Sequence, residues 1–129
     1  MSDGVRLDVT AYLERFRSGF SSQAIPVRKV GREAEFPVVD ADGNAFDVSL
    51  LWRGLMRSGL RPEYGQSGDQ IGLNGTRYSY ASEVGKGTME VITGPRPDLL
   101  HLARDHEEAV HRLVTVAAEH GARVFPPSQ

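Results

Sequence analysis

The sequence predicts an α+β domain with a largely antiparallel sheet and helices packed on one face. Three observations predict it. Short β-rich runs are separated by hairpin-type turn signals rather than by crossover helices. Helical periodicity marks few segments. After a first helix, the order reads strand, helix, several strands, helix, strand, which is the pattern of an α+β layer. The chain has 129 residues, enough for a single domain with a modest core.

Residues 7–20 read as a short amphipathic helix, with Val9, Tyr12, Leu13, Phe16 and Phe20 recurring at helical spacing and Gly19 as a stop. Ser21-Ser22-Gln23 is a loop. Residues 27–39 read as a long strand, which Pro37 limits to a sheet edge or a bulge. Asp40-Ala41-Asp42-Gly43-Asn44 is an aspartate–glycine turn. It is not a calcium loop, because the sixth position would be Ala45 and the twelfth Leu51. Residues 47–58 form the best-specified helix. Asp47 caps it, Gly59 closes it, and Phe46 and Leu51 occupy the positions of a hydrophobic staple. Val48, Leu51, Trp52, Leu55 and Met56 form one apolar stripe, with Trp52 as a core anchor.

Residues 60–64 suggest a short strand. Residues 70–73 and 76–80 read as a hairpin closed by a tight turn at Asn74-Gly75. A carboxylate-bearing strand follows to about Thr93 and is broken by Pro95 and Pro97. A long helix runs over 98–120 and ends at Gly121. Leu99, Leu102, Ala103, Val110, Leu113 and Ala117 give its buried side. Residues 122–125 close the pattern as a final strand.

The totals exclude several function classes. A formal net charge of −2 gives no general attraction to nucleic acid or to anionic membranes. No cysteine is present, which removes disulfides, thiolate zinc sites and cysteine nucleophiles. Asp3, Asp8 and Glu14 interrupt the first twenty residues, so neither a signal peptide nor an anchor is expected. No apolar run approaches the roughly 20 residues of a membrane span, and a cytoplasmic protein is expected. The histidines His101, His106, His111 and His120 lack the spacing of a helical metal pair and are expected at the surface or helix ends. Gly85-Lys86-Gly87 lacks the spacing of a phosphate-binding loop. Lys86, Arg77 and Arg96 read equally as phosphate contacts or as solvated side chains.

The acidic residues carry the functional signal. Glu33 and Glu35 are two apart and share one strand face. Glu83 and Glu90 are seven apart, which on a regular strand sets them on opposite faces. Gly85 and Gly87 suggest a bulge, and one inserted residue brings both carboxylates to one side. The expectation is that Glu33, Glu35, Glu83 and Glu90 converge on one sheet face and hold divalent metal ions. Two such charges at about 4 Å repel by roughly 4 kcal/mol at an effective dielectric of 20, so protonation or cations must offset them. Oxygen-only ligands suit Mg2+ or Mn2+. These ions bridge carboxylates and nucleotide phosphates, so the site is compatible with ATP as co-substrate. The bland reading is a solvated acidic strand, since glutamate is mostly exposed.

Val30-Gly31-Arg32-Glu33-Ala34-Glu35-Phe36 resembles the early glycine–x–glutamate–x–glutamate strand of the glutamate–cysteine ligase family. Glu83 to Pro95, centred on Met89-Glu90-Val91-Ile92-Thr93-Gly94-Pro95, resembles that family's second acidic strand. Gly121-Ala122-Arg123-Val124-Phe125 fits the segment after its following helix. The resemblance spans residues 27–125 and rests on the order and separation of the motifs. It implies a glutamine synthetase-like catalytic fold and an ATP-dependent carboxylate–amine ligase. In such an enzyme ATP phosphorylates the γ-carboxylate of glutamate, and the amine of cysteine attacks the acyl phosphate, in glutathione or related thiol biosynthesis. It implies metal roles for Glu33, Glu35, Glu83 and Glu90, and places Thr93 beside the substrate.

Family members are longer, so the chain is expected to be the amino-terminal portion of a ligase catalytic domain. A carboxy-terminal portion or a partner chain would complete the site. A ligase with another amine acceptor and a non-catalytic interaction or regulatory subunit are the rival readings.

Overall fold

Along the first strand Ala34, Phe36 and Val38 alternate with Glu33, Glu35 and Pro37, and the alternation separates a buried from an exposed face. The computed structural model describes residues 30–83 and 85–126. The helix expected over 7–20, its following loop and the first three residues of the strand expected over 27–39 lie outside them. The described elements are β1 (Val30–Val39), a 3-10 turn (Val48–Leu51) running into α1 (Trp52–Leu55), β2 (Arg61–Tyr64), β3 (Gln70–Asn74), β4 (Tyr78–Ser82), β5 (Thr88–Arg96), α2 (Leu99–Glu119) and β6 (Arg123–Val124). The six strands form one sheet in the order β2-β3-β4-β5-β1-β6, and every pairing is antiparallel. This is the α+β architecture the sequence predicts.

One sheet face carries the core. Ala34, Phe36 and Val38 of β1, Leu73 of β3, Tyr78 and Tyr80 of β4, and Met89 and Val91 of β5 pack with Val48, Leu51, Trp52, Leu55, Ala109, Leu113, Val116 and Ala117 from the helices. Asp98 caps α2 by accepting from the His101 N–H at 2.8 Å, and Gly121, at φ +72°, follows its end. Among the described residues no helix is long and apolar enough to cross a membrane.

Several local expectations change. The helix expected over 47–58 is a 3-10 turn plus a single α turn. Asp47 does cap it, accepting from Ser49 N–H at 3.1 Å and from its hydroxyl at 2.7 Å. The helix then ends at Leu55, because Met56 is extended (ψ 131°) and the Arg112 guanidinium takes the carbonyls of Leu55 (2.8 Å) and Gly54 (3.4 Å). Met56 leaves the apolar stripe and is exposed.

The Asn74-Gly75 turn is not a two-residue hairpin. β3 and β4 are joined through residues 75–77, and among the described residues none other than glycine has positive φ, which a type I′ turn would require of Asn74. Pro95 does not break its strand, for β5 continues to Arg96. The irregularity falls between Val30 and Arg32 on the paired strand. Pro37 sits inside β1. Its carbonyl accepts from Phe125 N–H at 2.9 Å, on the side of the short β6, so its missing N–H costs the β5 pairing nothing. In α2, Ala103 faces solvent, while Asp105 and Arg112 join the buried side.

Candidate functional site: an acidic sheet face

The face of the sheet opposite the helices is polar. Strand register builds a transverse row across it: Glu63 pairs with Gly72, Gly72 with Ala81, Ala81 with Glu90, and Glu90 with Glu35. Side chains in such a row share a face. Glu33 lies two residues along β1 from Glu35 and therefore on the same face.

Glu83 reaches this face by a hairpin and not by the expected bulge. Residues 83–95 are not one strand with a bulge. β4 and β5 form a hairpin, Glu83 follows the last residue of β4, and its N–H donates to the Thr88 carbonyl at 3.2 Å. The chain reversal, rather than an inserted residue, sets Glu83 and Glu90 on one side.

The glycines around Lys86 serve this connection. Gly85 has φ +99°, which favours glycine. A Cβ on Gly87 would stand 2.7 Å from the Ala45 Cβ. The Gly87 carbonyl accepts from Val38 N–H at 2.8 Å and the Lys86 carbonyl from Val48 N–H at 2.9 Å. The hairpin tip is thereby stitched to β1 and to the start of the 3-10 turn, which fixes Glu83 relative to Glu35.

One carboxylate oxygen from each of Glu35, Glu83 and Glu90 lies within 4.8 Å of the other two. Two strands and the start of the β4–β5 connection thus deliver three carboxylates to one point, with Glu35 exposed and Glu83 and Glu90 half-buried. Glu33 stands outside this group of three but contributes to its field. Partial burial raises the Glu90 carboxyl above its ordinary value, and the charges of Glu83, Glu33 and Glu35 raise it further. A fifth carboxylate joins the face. The Glu63 Oε1 lies 3.3 Å from where a Cβ on Gly72 would stand. Glu63 gives no signal in the sequence, because β2 carries no apolar alternation and all four of its residues are exposed.

Thr93, expected beside a substrate, points to the opposite face. It is 1% exposed, and its hydroxyl lies 3.1 Å from His106 Nδ1. His106 is accordingly not a surface residue. It is half-buried against Phe36, and burial, followed by the charge of Arg32, lowers its pKa.

Arg77 and Arg96 converge on Asp105, a buried α2 residue that the sequence reading did not single out. Arg77 Nε donates to Asp105 Oδ1 at 3.0 Å. Arg96 Nε stands 2.8 Å from Oδ2, an ion-pair distance without the alignment of a hydrogen bond. Arg77 Nη2 also donates to Glu108 Oε1 at 2.8 Å, and the Tyr78 hydroxyl donates to Oε2 at 2.9 Å. These contacts tie β4 and β5 to α2.

No protein-family model, curated protein or solved structure matches this chain.

Proposed function

We propose that the acidic face is the metal-holding part of an ATP-dependent carboxylate–amine ligase of the glutamate–cysteine ligase type, built on a glutamine synthetase-like sheet. The observation that carries this reading is the meeting of Glu35, Glu83 and Glu90 oxygens within 4.8 Å. It is joined by the likeness of the two glutamate-bearing segments to that family's acidic strands. The donor set fits the ion: three carboxylates without nitrogen or sulfur suit a hard cation such as Mg2+ or Mn2+.

Glu35, Glu83 and Glu90 would hold the ion, and Glu33 would add to the negative field that draws it in. A bound divalent cation with ATP neutralises the charge that develops on the transferred phosphoryl group. Glutamate would supply the carboxylate, and cysteine or another amine the nucleophile. The raised Glu90 pKa supports a cation-requiring site, since crowded carboxylates gain when positive charge replaces a proton.

Mn2+ binding to the full chain, followed by electron paramagnetic resonance, tests the metal part. Glu90→Gln should weaken it at least tenfold, and equal binding by both proteins would overturn the reading. ATP- and glutamate-dependent phosphate release, with cysteine or other amines, tests the ligase part. Metal binding without turnover, alone or with any completing chain, favours the second reading, a non-catalytic interaction or regulatory subunit. The four exposed residues of the sheet-edge strand β2 favour that reading, because an exposed edge offers a partner a place to pair.

A further inference from the structure

A second polar site lies apart from the acidic sheet face. A cavity of about 180 Å³ opens between the loop that follows α1 and the β3–β4 connection. Arg57, Ser58, Gly59, Thr76 and Arg77 line it, with Glu108 on the α2 side. We propose that this cavity binds a small oxyanion, the phosphate or carboxylate group of a ligand.

The charge count favours an anion. Arg57 and Arg77 line the cavity, and Arg96 stands behind it on Asp105. Three guanidiniums therefore face two carboxylates, Asp105 and Glu108, on a chain whose formal net charge is −2. The carboxylates are already committed. Both Glu108 oxygens accept hydrogen bonds, from Arg77 and from Tyr78. Hydrogen bonding to Arg77 holds the Glu108 carboxyl below its ordinary range, so it stays ionised and bound to its partner. Hydrogen bonds to Glu108 and Asp105 likewise raise the pKa of Arg77 and keep it charged.

The guanidiniums, by contrast, have donors to spare. Arg77 uses Nε and Nη2 on its two carboxylates, and among the described residues Nη1 has no hydrogen-bond partner, one of the nitrogens that carry a guanidinium's five donors. Arg57 makes no ion pair among the described residues. Ser58 and Thr76, each carrying a hydroxyl, line the same space. Two forked cations with flanking hydroxyls recognise a planar or tetrahedral oxyanion by charge-assisted hydrogen bonds. Arg77 is preorganised for this, since its two ion pairs fix the side chain before any ligand arrives.

The test is an amide NMR titration of the full chain without divalent cations, using inorganic phosphate in one arm and acetate in the other. Sodium chloride at matched ionic strength is the control. Saturable shifts confined to residues 57–60 and 75–77 are expected from at least one anion, and the arm that saturates first identifies the preferred group. Arg57→Gln should weaken that binding about tenfold, the loss of one charge-assisted contact of roughly 1.4 kcal/mol. Arg57 is exposed and makes no ion pair among the described residues, so the variant should keep its shifts elsewhere. Glu90→Gln should leave the titration unchanged, which separates this site from the acidic face. No localised shift with either anion, the same shifts with chloride, or unaltered affinity in Arg57→Gln would each overturn the proposal.

Discussion

Glu35 and Glu90 stand directly opposite each other on neighbouring antiparallel strands. Like charges at such a position are destabilising by about 0.2–1 kcal/mol relative to neutral pairs. Here a third carboxylate, Glu83, joins the pair. A purely structural sheet gains nothing from this arrangement, and positive charge is what relieves it.

A pH dependence follows. The Glu90 carboxyl is raised in the folded chain by burial and by its acidic neighbours. The folded state therefore holds this proton more tightly than the unfolded chain. Stability from this group is fully present below the unfolded value, near 4.5, and is lost as pH rises through the folded one. Glu90→Gln should flatten that decline. Without metal at pH 7, the variant should be more stable than the parent by about 0.5 kcal/mol, within the range for relieving a like-charge pair. Urea unfolding at a series of pH values reads both. A variant less stable than the parent at pH 7 would contradict the stated electrostatics.

Asp105 is the second charge whose removal should be felt. It is 3% exposed and takes both Arg77 and Arg96. Breaking a buried pair costs about 3–5 kcal/mol. Both arginines reach water here, with side-chain exposures of 48% and 31%, so their stranded charges can rehydrate in part. Asp105→Asn should therefore cost less, about 2 kcal/mol. Arg96→Gln should cost less still, because Asp105 keeps Arg77. Chemical denaturation at pH 7 checks the order, and an Asp105→Asn effect below that of Arg96→Gln would reverse it.

The glutamates at 33, 35 and 90 were legible in the sequence because period-two alternation places residues on faces before any pairing is known. The role of Glu83 was legible only in outcome. Gly85 and Gly87 signalled a departure from a regular strand, but glycines do not distinguish a bulge from a hairpin. Pairing with Thr88 decided it. Glu63 enters through register over three strand pairs, which local sequence does not carry. The α2 stripe shows the same limit in another form. Asp105 and Arg112 lie at helical spacing with Leu102, Ala109, Leu113 and Val116. Charged residues are assigned outward by composition, and only distant partners, Arg77 and the α1 carbonyls, make their burial affordable.

Arg112 gives the third prediction. Its guanidinium holds the last carbonyls of α1 from the middle of α2. Arg112→Met retains the apolar stem and removes the donors. The loss should be about 1–3 kcal/mol, the cost of leaving buried acceptors unpaired. Trp52, the only tryptophan, opens the same helical turn. Its fluorescence should report a loosened α1 at denaturant concentrations where far-ultraviolet dichroism is still native. Coincident transitions with no loss of stability would show that water satisfies those carbonyls equally well.

Gly54 supplies the last prediction, in which packing and intrinsic propensity oppose each other. It lies inside α1, where replacing glycine by alanine ordinarily gains about 1 kcal/mol. A Cβ at this position would stand 2.5 Å from Val116 Cγ1 on α2. Val116 is 5% exposed, and a valine in a helix has one strongly preferred rotamer, so its methyl cannot swing aside. Overpacking of this kind costs about 1–3 kcal/mol. Gly54→Ala should therefore destabilise the protein by about 1 kcal/mol net. In a Val116→Ala background the obstructing methyl is gone, and the same change should stabilise. Thermal and urea unfolding of the four proteins in this cycle measure the coupling directly. Equal effects of Gly54→Ala in both backgrounds would show that α1 and α2 do not meet at this contact.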